Sequence, residues 1–304
     1  MAARRPSPAS VRAVLPTDAR TVLVHVVVTA SDHCGSPPVT TSRRVFGVLA
    51  AMILAALTLL DQGRVDPEPD YSAAAPRAAP VVLALGDSVP AGTACDCSPF
   101  PTLYGALLSR HVGVPVTVDN EAVSGLDTTG LLAQLRQPRV ADEVRRASVV
   151  LLTIGANDFA DNHDRVVDDD CARDTATDCV SDELASLQAH LATALAELRT
   201  LRAGMPTSVL VTGYWNVFED GGVARRGAGV SGLQASIALT VRVNAAIRSV
   251  SSSAGAHYVD LFEPFQRRGR DIDSLLAPDG DHPDAAGHRL IAAELLDATP
   301  PRLS

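Results

Sequence analysis

The stretch VVLALGDSVPAG, Val81 to Gly92, sets five apolar residues directly before a glycine, an acid and a serine. A short, β-branched apolar run bounded by glycine reads as a buried strand. Strands buried on both faces belong to parallel sheets covered by helices. Gly86, Gly92 and Pro90 allow a tight turn after the run, and that turn presents Ser88 at the carboxyl end of the strand. Open α/β sheets bind ligands at that edge. An isolated Gly-Asp-Ser suits an ordinary β–α turn equally well, so the rest of the chain has to decide.

Working outward, similar apolar runs occur at Val116–Val118, Val149–Ile154, Ser208–Thr212 and His257–Leu261. Stretches of helical period lie between and after them, at Thr102–His111, Thr128–Leu135, Asp182–Arg202, Leu233–Ser252 and Pro283–Leu296. Strands that alternate with helices predict a three-layer α/β domain, flavodoxin-like in layering, over residues 81–304. With 46% apolar residues the chain can build a substantial core.

Upstream the texture is different. Residues 1–44 form a poorly structured extension without sustained period. Arg43-Arg44 precedes Val45–Leu60, sixteen residues without a charge, and Asp61, Asp66, Glu68 and Asp70 follow. Basic before and acidic after predicts export of everything downstream, secreted or held in the cell envelope. The length of residues 45–60 lies between a signal-peptide core and a full span, so cleaved signal and membrane anchor both stay open. Residues 61–80, rich in Pro, Ala and charge, read as a linker.

The charge balance excludes one class of partner. All 26 basic residues are Arg, and the net charge is −9. Beyond residue 61, 20 Arg face 32 acidic residues, a balance of −12. Nucleic acid requires a basic footprint, which this chain lacks.

Three more polar or Gly-rich turns fall at strand ends or a helix entrance. They are Asn120-Glu121-Ala122-Val123-Ser124-Gly125, Gly155-Ala156-Asn157-Asp158 and Asp279-Gly280-Asp281-His282-Pro283. Of eight histidines, His282 alone has an acid three residues before it and Pro directly after it. With Pro283 as a first helical residue, His282 would sit at a helix entrance and point outward. Acyl transfer needs a nucleophile, a base for its proton and donors for the oxyanion.

These four segments, in this order, resemble the four sequence blocks of the SGNH/GDSL hydrolase family, over about Val81 to Leu296. The resemblance implies an esterase or lipase with Ser88 as nucleophile, His282 as general base and then acid, and Asp279 orienting the imidazole. It further implies an oxyanion hole made of the Ser88 and Gly125 N–H groups and the Asn157 side chain. The order Ser…Asp…His is shared with α/β-hydrolases, but Pro90 stands where their G-x-S-x-G elbow needs glycine. Asn157 as a capping or turn residue and Gly125 as a positive-φ turn residue remain the bland readings. The reaction calls for no metal and no organic cofactor. Its substrate would be a small-molecule, lipid or glycan ester. Within the same family, glycan deacetylation, lysophospholipid cleavage and thioester cleavage remain open. A catalytically silent envelope-binding module would keep the fold without the chemistry, but the set Ser88, Gly125, Asn157, Asp279 and His282 is intact.

Cys95, Cys97, Cys171 and Cys179 make an even count in the exported part, which favours two disulfides. Cys171–Cys179 would close a short loop, Cys95–Cys97 a very tight ring, and cross-pairing stays open. A four-thiolate zinc site is the competitor, although the C-x-C spacing is not that of a zinc knuckle. Cys34, on the inner side, is expected as a free thiol. Gly227–Gly232 fits G-x-G-x-x-G without a strand directly before it, so dinucleotide binding is discounted. Eight Asp between Asp158 and Asp178 read as a solvated acidic loop over the site that would repel anionic substrates.

Overall fold

The computed structural model describes residues 79–167, 179–203, 205, 207–267, 269 and 271–299. They belong to one compact unit, residues 73–304. The segment 45–60, Cys34 and Cys171 lie outside the described residues.

Five parallel strands form one sheet: β1 Val81–Gly86, β2 Thr117–Asn120, β3 Val149–Thr153, β4 Ser208–Thr212 and β5 His257–Val259, in the order β2-β1-β3-β4-β5. In register, Val82 pairs with Val149, Leu85 with Leu152 and Val149 with Ser208. The central strand β3 is buried at every residue, as a continuous apolar run in a doubly covered sheet must be. The edge strand β2 carries polar Thr117, Asp119 and Asn120, and both of its ends are exposed.

The strand order reverses at β1. Right-handed crossovers then put the first connecting helix on one face of the sheet and the later ones on the other. That first helix, α2 Phe100–Val112, follows the short α1 Ser88–Ala91. The helices α3 Thr128–Leu135, α4 Pro138–Arg146, α5 His163–Val167, α6 Ser181–Leu201, α7 Gly221–Arg226, α8 Gly229–Ser253 and α9 Phe262–Phe265 come next. The last, α10 Ala285–Asp297, packs beside α2. Among the described helices α8 is long and apolar enough to cross a membrane. It is instead a core helix of the domain, burying Leu239, Val243 and Ile247.

Several elements depart from expectation. The pattern did not announce α4, which buries only Val140, Ala141, Glu143 and Val144 behind Pro138 at its start. The final helix begins at Ala285 rather than Pro283, because Asp284 caps it by accepting from the N–H groups of Ala286 and Gly287. Pro283 instead forms an antiparallel bridge with Leu276.

Candidate active site

The switch in strand order opens a crevice between the carboxyl ends of β1 and β3, and Ser88 and Asn157 follow these two strands. At Gly86 the strands approach so closely that a Cβ would come within 1.8 Å of the Thr153 carbonyl oxygen, and φ is +126°. Only glycine fits that conformation and that gap. The Asp87 N–H then donates to the same carbonyl at 3.0 Å, which turns the chain out of the sheet. Asp87 Oδ1 caps α1 by accepting from the Val89 N–H at 3.0 Å. The turn that carries Ser88 is thus tied to β3 on one side and to its own helix on the other.

Ser88 and His282 meet across the crevice. Ser88 Oγ lies 2.8 Å from His282 Nε2, and His282 Nδ1 lies 2.9 Å from Asp279 Oδ2. A carboxylate only accepts, so Nδ1 carries the proton and Nε2 offers its lone pair to the serine hydroxyl. Asp279 Oδ1 accepts from the N–H groups of Asp281 and His282, each at 3.1 Å. Burial pushes Asp279 up, but the His282 N–H, its imidazole and the Asp281 N–H together outweigh that, and its pKa ends lowered. It therefore stays an anion beside the His282 ring. His282 therefore stands in a turn held from several sides rather than at a helix entrance. Ala277 donates to the His282 carbonyl at 2.8 Å, and Asp220 donates to that of Gly280 at 3.1 Å.

The second and third turns converge on the turn that carries Ser88. The Val123 N–H donates to the Gly86 carbonyl at 2.8 Å, Asn120 Nδ2 donates to that of Pro90 at 2.8 Å, and the Thr93 and Ser124 hydroxyls are hydrogen-bonded. Asn157 Nδ2 donates to the Leu126 carbonyl at 3.0 Å, joining the third turn to the second. Gly125 has φ +79°, and a Cβ there would meet nothing within 4 Å, so a side chain would point into open space. Asp158 is not a solvated loop residue. Its two oxygens accept from the N–H and hydroxyl of Thr128, fastening the third turn to the amino end of α3. A carboxylate is favourable at a helix amino end. The acidic residues 168–170, 174 and 178 lie outside the described residues.

A sequence profile of the GDSL-like lipase/acylhydrolase family matches residues 84–290. The chain belongs to this family. It is a carboxylic ester hydrolase. Several solved structures are similar. A lipase from a goat rumen metagenome shares 20% identity at a TM-score of 0.60, covering 74% of this chain and 100% of that one. Phospholipase A1 from Streptomyces albidoflavus shares 25% at 0.55, with 73% and 100% covered. An extracellular lipase from Streptomyces rimosus shares 23% at 0.50, again with 73% and 100% covered. No curated protein matches the chain.

In this GDSL hydrolase the site also involves two residues, Tyr214 and Trp215, that carry no motif in the sequence. Tyr214 and Trp215 follow β4 after Gly213, at the same sheet edge as the four turns. Trp215 stacks on Phe265 with centroids 4.6 Å apart and donates through Nε1 to the Asp281 carbonyl at 3.1 Å. That holds the loop carrying His282. The available signal was positional: a Gly213-Tyr214-Trp215-Asn216 turn ending a buried strand. The fit to G-x-G-x-x-G falls at the junction of α7 and α8, away from any strand–helix turn.

The structure pairs Cys95 with Cys97, Cα atoms 5.1 Å apart, in the loop between α1 and α2. Cys179 is likewise disulfide-bonded. Cross-pairing of Cys95 or Cys97 with the second cluster is thereby set aside, and the tight ring is the one adopted. Next to this pair, fully buried His288 accepts from the Phe100 N–H through Nδ1 at 3.2 Å. Burial lowers its pKa to about 4, which keeps it neutral. Cys95, Cys97 and His288 hold their donor atoms within 4.8 Å of one another. With the sulfurs bonded to each other, however, no thiolate is on offer to a metal.

Proposed function

We propose that the enzyme cleaves carboxylic esters through an acyl-serine intermediate on Ser88. The observation that carries this reading is the unbroken chain Ser88–His282–Asp279, with links of 2.8 and 2.9 Å. Ser88 Oγ attacks the carbonyl carbon while its proton passes to His282 Nε2, and Asp279 stabilises the imidazolium. The resulting oxyanion lies between the N–H groups of Ser88 and Gly125 and the side-chain amide of Asn157. As the intermediate collapses, the Nε2 proton moves to the departing alkoxide. Water then attacks the acyl-serine with His282 again as base, which returns the acid and free Ser88. None of these steps uses a metal or an organic cofactor.

Among substrates, a lipid acyl ester is the first to try, since the chain is 25% identical to a phospholipase A1 over that protein's whole length. We further infer an exported enzyme carrying the Cys95–Cys97 and Cys171–Cys179 disulfides, in keeping with the extracellular lipase it resembles. The test is turnover of p-nitrophenyl esters from acetyl to palmitoyl, a phospholipid and an acetylated glycan, alongside labelling by a fluorophosphonate. Ser88→Ala should abolish labelling and lower turnover by roughly 10³-fold or more. Near-normal turnover by a folded Ser88→Ala protein rejects the assignment.

A further inference from the structure

The Tyr214 hydroxyl sits between the nucleophile turn and the third turn. It donates to Asp87 Oδ2, one residue before Ser88. It also accepts from the Ala156 N–H at 3.4 Å, one residue before Asn157. One oxygen atom therefore links the backbones that carry two of the three oxyanion donors.

We propose that Tyr214 is a positioning residue that holds the two sides of the oxyanion hole in register. This rests on the acyl-serine reading above. Tyr214 is itself fixed from outside the site. Asn244, on the core helix α8, accepts from the Tyr214 N–H at 2.8 Å and donates to its carbonyl at 2.7 Å. The ring is fully buried, and Asp87 is 1% exposed. The linkage thus runs from α8 through Tyr214 to Asp87, whose Oδ1 caps the nucleophile helix by accepting from the Val89 N–H. A second branch runs through Ala156 to Asn157.

Core filling alone does not account for this pair. A phenylalanine would fill the same space, and a buried carboxylate is unfavourable unless hydrogen-bonded. Burial pushes Asp87 up to about 6, against the lowering by the Tyr214 hydroxyl and the Val89 N–H. What the pair supplies is geometry. Oxyanion donors act through placement near 3 Å from charge that appears only in the transition state, so small displacements cost rate rather than binding.

The experiment compares wild type with Tyr214→Phe, Asn157→Ala, the double variant and Ser88→Ala, using one p-nitrophenyl ester. Tyr214→Phe should lower kcat by about 10- to 100-fold with KM within about threefold. Affinity for a trifluoromethyl ketone, which forms a tetrahedral adduct, should fall in proportion. Combined with Asn157→Ala, the loss should be smaller than the product of the two single losses, because both act on the same donor. A purely structural tyrosine would lower the unfolding midpoint and leave kcat unchanged, or would multiply with Asn157→Ala. Either result overturns the proposal. If Tyr214→Phe does not fold, Asp87→Asn replaces it, and wild-type kcat in that variant overturns the proposal as well. The two failures are separable. Turnover by Ser88→Ala sinks the acyl-serine reading, whereas an inactive Ser88→Ala beside a fully active Tyr214→Phe sinks only the positioning role.

Discussion

At the scale of single residues, Asp87 is both the cap of α1 and a carboxyl held out of water. Its folded pKa is raised from 3.8 to about 6, chiefly by burial. A carboxyl with a raised folded pKa binds more protons in the native than in the unfolded state between those values. Stability from this group is therefore greatest at low pH and is lost as pH rises from about 4 to about 6. At one pKa unit per 1.4 kcal/mol the loss is about 3 kcal/mol. Asn does not titrate, so the stability of Asp87→Asn relative to wild type should climb by about that amount between pH 4 and pH 7. Urea unfolding of both proteins at each pH reads this directly, and parallel stability curves would contradict it. Asp279, whose pKa is lowered, acts in the opposite sense, but it is common to both proteins and drops out of the difference. Ser88, Asp279 and His282 could be singled out because each lies in a short block that resembles the family's, and the structure brings the three side chains together. The partner of Asp87 was not legible, because Tyr214 lies 127 residues away and nothing local to either residue points to the other.

At the scale of elements, the site depends on how closely β1 and β3 can approach. The Thr153 carbonyl occupies the place of a Gly86 side chain and accepts from the Asp87 N–H. Gly86→Ala should therefore lose at least about 3 kcal/mol of stability, combining backbone strain with a forced separation of two strands. Gly125→Ala has open space for its methyl group, so strain alone applies, and the loss should be about 1 kcal/mol. Equal unfolding midpoints for the two variants would mean that the β1–β3 approach is not the constraint. The five strands were legible from their apolar runs, since burial on both faces leaves no alternation to interpret. Edge strand β2 was placed slightly early, at Val116, because its paired residues from Thr117 to Asn120 are mostly polar. The start of α10 was misplaced for a related reason. Pro283 and Asp284 both suit a helix beginning, and only the bridge from Pro283 to Leu276 decides between them.

At the scale of the whole molecule, export and redox state are one question. The Cys95–Cys97 pair sits seven residues beyond Ser88, in the loop that leads from α1 to α2. A disulfide persists in an oxidising compartment and not in the cytosol. The proposed means of reaching one is Arg43-Arg44, the uncharged run 45–60 and then Asp61, Asp66, Glu68 and Asp70. Charge asymmetry of that kind orients the segment with its amino end inside. A reporter fused after residue 80 should therefore be active only outside the cytoplasm, and changing Arg43 and Arg44 to Glu should impair that orientation. In protein recovered from outside the cell membrane, Cys95, Cys97, Cys171 and Cys179 should resist a thiol reagent until reduced. Cytoplasmic reporter activity, or two or more of these cysteines labelled without reduction, would remove the argument for export. The even cysteine count was legible, but the partner of Cys95 was not. Two residues of separation close so tight a ring that spacing alone favoured no partner, and only the folded loop brings Cys97 back to Cys95.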